Sequence, residues 1–207
     1  MMGLFGLALA AVAQDPVEVI RSKDIELQKL LREKDVSQKT DRVKTLVNGI
    51  FDFGELGKRA LGSTWGKMTP NQQTRFTKAF QKWVENASVK KLDAYLNDST
   101  HYDPAEIDGD RATVTAHVFS KGSESIVVYK LVLEQGAWKA WDLVIDDLST
   151  AGNYGDQFRE ILKKKTIDQL IAKLEERANE DAAVKATDDV KSNSEKSSQS
   201  AAKNSGG

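Results

Sequence analysis

The sequence predicts an α+β fold. Apolar residues recur at three- and four-residue spacing up to about residue 96 and again after 153, whereas between 111 and 145 the spacing switches to two. Strands that follow one another directly, with helices gathered before and after them, argue for an antiparallel sheet covered by helices and against a parallel one.

Val17 to Lys34 reads as a first helix on Val17, Ile20, Leu27, Leu30 and Leu31, ended by Asp35-Val36-Ser37. Thr40 to Phe51 is a second, with Val43, Leu46, Val47 and Ile50 on one stripe. Phe53 to Leu61 is a third, stopping before Gly62, and Trp65 is expected in a loop between glycines. Thr69-Pro70-Asn71-Gln72 then supplies an N-cap, a proline at the first helical position and a glutamine three residues after the cap. The helix it opens runs to about Leu96, with Phe76, Phe80, Trp83, Ala87 and Ala94 on one stripe, widened by Ala79, Val84, Leu92, Tyr95 and Leu96.

Arg111 to Ser120 alternates, with Ala112, Val114, Ala116 and Val118 on one face. Ser125 to Gln135 puts Val127, Tyr129, Leu131 and Leu133 together, and Trp138 to Ile145 groups Trp141, Leu143 and Ile145. Lys121-Gly122 and Gln135-Gly136 are hairpin turns. With a weaker strand near His101 to Ile107, three or four strands form an antiparallel meander. Two helices close the chain, Asn153 to Lys165 and Ile167 to Ala178, the second behind the capping box Thr166-Ile167-Asp168-Gln169.

The ends differ in composition from this core. Residues 1–13, MMGLFGLALAAVA, end in the small-x-small pattern Ala11-Val12-Ala13 and are too short to span a hydrocarbon core of about 30 Å. They read as a secretory signal peptide, so that the mature chain begins at Gln14. Residues 179–207 read as a disordered polar tail, since their small and polar side chains bury too little apolar area to offset the entropy of ordering. Residues 14–178 make one domain.

Composition removes several function classes. With 30 basic and 31 acidic residues the net charge is −1, which offers no electrostatic footprint for nucleic acid. The chain has no cysteine, hence no disulfide, thiolate nucleophile, Cys-bound zinc or acylation site. Its two histidines, His101 and His117, argue against histidine-rich metal sites and triads. Asp142, Asp146 and Asp147 sit at and after the last strand, where a capping or turning role for Asp146, Asp147 or Ser149 competes with acid–base work. Asp108-Gly109-Asp110 is a hairpin turn rather than a calcium loop, because the remaining ligands are missing. His117 reads as a solvated strand residue. Lys163-Lys164-Lys165 complements a helix dipole, with membrane contact as the alternative. No phosphate loop, dinucleotide fingerprint or nucleophile elbow appears. A secreted domain of this kind, rich in Trp and Phe, reads by elimination as a binding module.

Phe51-Asp52-Phe53, Lys58-Arg59-Ala60-Leu61-Gly62, Trp65, Met68-Thr69-Pro70-Asn71-Gln72, Arg75-Phe76 and Phe80, followed by Trp138-Lys139-Ala140-Trp141-Asp142-Leu143-Val144-Ile145, Leu148-Ser149, Asn153-Tyr154, Gln157-Phe158, Ile161-Leu162, Asp168, Leu170-Ile171 and Leu174, resemble in order the MlaC or toluene-tolerance family. The likeness covers about Val17 to Arg177. Departures are Asp147 and Gly155, where that family usually has Gly and often has Arg or Lys, Ala87-Ser88 in place of Thr-Tyr, and the Ser-rich tail.

The resemblance implies a periplasmic phospholipid-binding protein with no cofactor. Its fold would be a bent antiparallel sheet of about four strands, with helices enclosing an apolar cavity. Such a protein carries lipid between an outer-membrane lipoprotein/porin complex and an inner-membrane ABC transporter bearing MCE domains. Candidate lipid-binding residues are Phe53, Leu56, Leu61, Trp65, Phe80, Trp83, Val84, Val114, Val118, Val127, Tyr129, Leu131, Trp141, Leu143 and Phe158; core packing accounts for each as well as lipid contact does. Lys58 and Arg59, near the expected mouth, face either water or an anionic surface. Two other functions compete. A small enzyme using Asp142 or Asp146 with Tyr129 or His117 predicts a polar cleft, and an interaction protein predicts a filled core with an exposed apolar patch.

Overall fold

The structure is a computed structural model that describes residues 14–33, 39–89 and 96–179. The expected leader over 1–13, the break at Asp35-Val36-Ser37, the helix positions Leu92, Ala94 and Tyr95, and the polar tail from 180 on lie outside these residues.

Among the described residues six α-helices form, five of them behind a capping side chain. α1 spans Pro16–Arg32; the Asp15 carboxylate accepts from the Val17 N–H at 2.9 Å, and Pro16, which has no N–H to satisfy, takes the first position. α2 spans Lys39–Ile50. α3, Phe53–Leu61, is capped by Asp52, which accepts from the Glu55 N–H at 2.9 Å, and ends at Gly62, whose φ of 54° suits a residue without Cβ. Trp65, expected in a loop, lies in a 3₁₀ turn over Gly62–Lys67. α4, Pro70–Val89, opens on the reciprocal box between Thr69 and Gln72, at 3.0 and 3.2 Å. α5 spans Thr150–Leu162, and α6, over 167–179, opens on the Thr166–Gln169 box at 3.0 and 3.3 Å. α5 begins three residues before the expected Asn153 because Ser149 caps it, accepting from the Gly152 N–H at 2.9 Å.

The sheet has six antiparallel strands: β1 Ser99–Tyr102, β2 Glu106–Asp108, β3 Arg111–Ser120, β4 Ser123–Glu134, β5 Ala137–Ile145 and β6 Leu148–Ser149. The expected number was about four. The weak strand near His101 divides into β1 and β2, which pair with successive parts of one edge of β3, and β6 is two residues long, too short for an alternation to register. Lys121, Gly122, Gln135 and Gly136 all have positive φ, as the expected two-residue hairpin turns require.

Between Lys130 and Leu131 the register of β4 on β5 shifts: Leu131 faces Ala140 while Lys130 faces Asp142, leaving Trp141 as the extra residue of a bulge. The bulge changes which residues share a face. Trp138 and Ala140 lie on the side of Leu143 and Ile145, opposite Leu133, Leu131, Tyr129 and Val127 respectively, and the expected grouping of Trp141 with Leu143 and Ile145 is broken.

Apolar residues gather in two main clusters. One is helical, built from Phe53, Leu56, Leu61, Phe76, Phe80, Phe158, Leu170 and their neighbours, and contains no buried residue of the sheet. Aromatic rings fill it at centroid separations of 4.9 to 6.4 Å. Its helices meet closely at Gly155, where a Cβ would stand 2.9 Å from the Ala60 carbonyl oxygen. The other cluster joins α1, through Val17 and Ile20, to Ala112, Val114, Leu131, Trp138 and Ala140 of the sheet. Phe51 packs against both. A smaller cluster of Leu30, Val43 and Leu46 ties the far end of α1 to α2.

Candidate functional site

α1 lies over one face of β3–β5, and where its first turn leaves the sheet a groove of about 920 Å³ opens. Val17, Leu133, Trp138, Ala105 and Ile107 give it an apolar lining; Glu18, Arg21, Tyr102 and Asp103 provide its polar groups. Trp138 and Leu133 are directly opposed across the β4–β5 ladder, so two large side chains end the sheet face at the groove. Further in, the face becomes the small-large-small row Ala112–Leu131–Ala140, then the row Val114–Tyr129–Leu143.

A polar clasp holds α1 over this face. The Tyr102 hydroxyl donates to Asp24 Oδ2 at 2.9 Å, and the Arg21 guanidinium carbon stands 5.3 Å from the centre of the same ring. Burial, then the Asp24 charge, push the hydroxyls of Tyr102 and Tyr129 far above the usual tyrosine range, so both remain neutral.

None of the expected lipid-binding residues lines the groove itself. Phe53, Leu56, Leu61, Phe80, Val84 and Phe158 are buried in the helical cluster, with Trp65 and Trp83 packed against it. Val114 and Leu131 belong to the cluster beneath α1, with Tyr129 packed against them. Val127 is buried, and Val118 and Leu143 are half-buried, on the same sheet face. Trp141 stands apart: its ring lies 4.9 Å from the Arg59 guanidinium carbon and 5.5 Å from Lys130 Nζ. Strict alternation along β5 had passed over Trp138, because the bulge that turns it to the α1 side is invisible to a period of two. Val17 and Leu133 carried the right periodicity, but nothing in it marks an edge of the packed layer. Arg21 and Tyr102 had no signal, since their meeting depends on how α1 crosses β1.

The polar groups considered for acid–base work are held structurally. Asp142 is buried; it accepts from Ser149 Oγ at 2.7 Å and from the Ala151 N–H at 2.9 Å, and Lys130 Nζ is 3.9 Å away. It thus holds the start of α5, alongside the expected cap Ser149. His117 contacts Glu124 at 2.7 Å and Asp103 at 3.3 Å, and these two carboxylates raise its pKa. No group of acidic and histidine side chains suited to a metal ion occurs among the described residues. None of the described helices is long and apolar enough to cross a membrane.

An open sheet roofed by one helix, with a separate helical core beside it and an apolar groove at the junction, defines an α+β fold with one sheet face covered by α1. The same fold occurs in a phospholipid-binding protein from Ralstonia solanacearum solved in complex with a phospholipid. The TM-score is 0.69 at 22% identity, covering 82% of this chain and 99% of that one. The MlaC protein family matches residues 21–176, and the chain belongs to that family, as the ordered motifs led one to expect. Toluene tolerance protein ttg2D of Pseudomonas putida is 26% identical over 175 residues, 77% of this chain and 81% of that protein. The intermembrane phospholipid transport system binding protein MlaC of Haemophilus influenzae is 24% identical over 155 residues, 70% of this chain and 72% of that one.

Proposed function

We propose that this protein is a periplasmic phospholipid carrier. The acyl chains enter at the groove and lie along the sheet face under α1, against Val114, Tyr129 and Leu131 and on toward Val118, Val127 and Leu143, while the headgroup stays in water. Leu133 and Trp138 form the mouth. The aromatic residues of the helical cluster, Phe80, Trp83 and Phe158 among them, give that face a stiff support.

The observation that carries this function is the groove itself. It has an apolar lining, lies within the size range of ligand sites, and borders the buried sheet face on which α1 packs. The energetics require such shelter. Exposing acyl chain to water costs about 0.8 kcal/mol per methylene, so two chains of about 14 methylenes each amount to on the order of 20 kcal/mol, and free lipid does not cross an aqueous gap.

Binding and release of lipid need no bond to be made, and no catalytic residue is assigned. The proposal extends to export through the leader over 1–13. It also extends to transfer between an outer-membrane lipoprotein/porin complex and an inner-membrane ABC transporter with MCE domains, in keeping with the name of the Haemophilus influenzae relative. Native mass spectrometry of the purified protein tests the core of it. A mass increment equal to a diacyl phospholipid is expected, lost on delipidation and regained with vesicles; no lipid before or after would refute it. A Leu133→Glu variant that stays folded should load poorly, and normal loading would place the path elsewhere.

A further inference from the structure

The face around Trp141 is built with its negative charges inside and its positive charges outside. Glu55 on α3 gathers Lys58 at 3.3 Å, Arg59 at 2.9 Å and, from β3, Arg111 at 3.4 Å. Asp142 on β5 faces Lys130 at 3.9 Å. The carboxylate side chains are 10% and 2% exposed, whereas the four cations are between 39% and 54% exposed. Arg59 and Lys130 flank the half-buried indole of Trp141, at 4.9 and 5.5 Å. Burial pushes Glu55 up, but its contacts with Arg59 and Lys58 outweigh this and hold it below the usual carboxylate range. At the Arg111 end the charge is answered from outside by the exposed Asp110, 3.7 Å away, and by the exposed Glu134, which bonds Asp52 and faces Arg111 and Glu55. The outward positive surface is therefore Lys58, Arg59 and Lys130, the last two flanking one tryptophan.

A helix face with internal ion pairs accounts for Lys58, Arg59 and Glu55 alone. The pair with Asp142 compensates the Lys130 charge from within the sheet, but it does not by itself set the ammonium over the indole that Arg59 also flanks. Ammonium and guanidinium groups around an amphipathic ring match a bilayer surface, where the ring sits at headgroup level and the cations meet anionic phosphates. We propose that this face docks the protein onto an anionic phospholipid bilayer. The docking is independent of what the groove holds, since none of these residues lines the groove.

The test is flotation of the full chain with vesicles of phosphatidylcholine containing about one third phosphatidylglycerol, and with phosphatidylcholine alone, at low and high salt. Binding to the anionic vesicles alone, weakened by salt, is expected. Each cation near the surface contributes about fivefold, so Arg59→Gln with Lys130→Gln should weaken binding about 25-fold. A second variant, Lys163→Gln with Lys164→Gln and Lys165→Gln, should bind as the parent does. Circular dichroism confirms that both are folded. The proposal is overturned if the parent ignores anionic vesicles, which would point to an acidic protein partner. It is also overturned if the Arg59/Lys130 variant binds unchanged, or if the lysine-trio variant alone loses binding. Lipid loading, read by mass spectrometry on the same samples, reports separately on the groove.

Discussion

Replacing Gly155 with alanine should force α3 and α5 apart. The added Cβ would stand 2.9 Å from the Ala60 carbonyl oxygen, with the Ala60 carbonyl carbon and Cα both at 3.6 Å. All three are atoms of the α3 chain, so no rotamer change relieves the contact, and the helices must separate by about half an ångström to reach ordinary van der Waals distance. That separation loosens the layer in which Phe158 packs edge-on against Phe76 and Phe80, at 5.4 Å from each. Overpacking of this kind costs about 1–3 kcal/mol, and the better helix propensity of alanine returns about 1 kcal/mol, leaving a net loss of up to about 2 kcal/mol. Gly49→Ala is the matched control. Its Cβ meets nothing closer than the Lys23 side chain at 3.8 Å, so it should stabilise by about 0.4–1 kcal/mol. Urea unfolding followed by circular dichroism, with unchanged m-values, measures both. A Gly155→Ala midpoint raised above the parent's as far as that of Gly49→Ala would show that α3 and α5 do not approach as described.

Other outcomes follow from the same geometry. Asp147→Gly should stabilise by up to about 1 kcal/mol, because Asp147 holds φ at 66° in a turn where glycine pays no steric cost; a loss of thermal midpoint would contradict this. Asp142→Ala removes the acceptor of the Ser149 hydroxyl and Ala151 N–H and should cost about 2–4 kcal/mol, read by denaturant melts. His117, held by Glu124 and Asp103, should titrate above 6.5 by NMR, and Glu124→Gln should bring it down. Because the folded pKa is the higher one, its stabilisation is complete below pH 6.5 and is lost as pH rises through the raised value.

Much of the architecture was legible in the sequence because local chemistry decides it. Two capping boxes and the two hairpin turns at Gly122 and Gly136 each act within a few residues, and each stands where expected. Long-range geometry was not legible. The bulge at Trp141 depends on how β4 and β5 settle against each other, and it reversed the facing of half a strand. Small edge strands such as β2 and β6 exist only because β3 and β5 offer them partners. For the candidate site, the apolar positions of the sheet face were readable. The groove lies where α1 leaves that face, and helix placement is a property of the whole packing. Asp147 and Gly155, noted as departures from the family pattern, proved to be a strained turn residue and a point of closest helix approach.

Phe51 is the ring shared by the two main apolar clusters, and its neighbour Asp52 donates its N–H to the Ala140 carbonyl at 2.8 Å. Because the two clusters share little besides this ring, the proposed cargo under α1 would displace the roof without repacking the helical cluster. Tension applied between the halves would fall on that joint together with the bonds that Asp142 accepts from Ser149 and Ala151 and the Arg111–Glu55 pair.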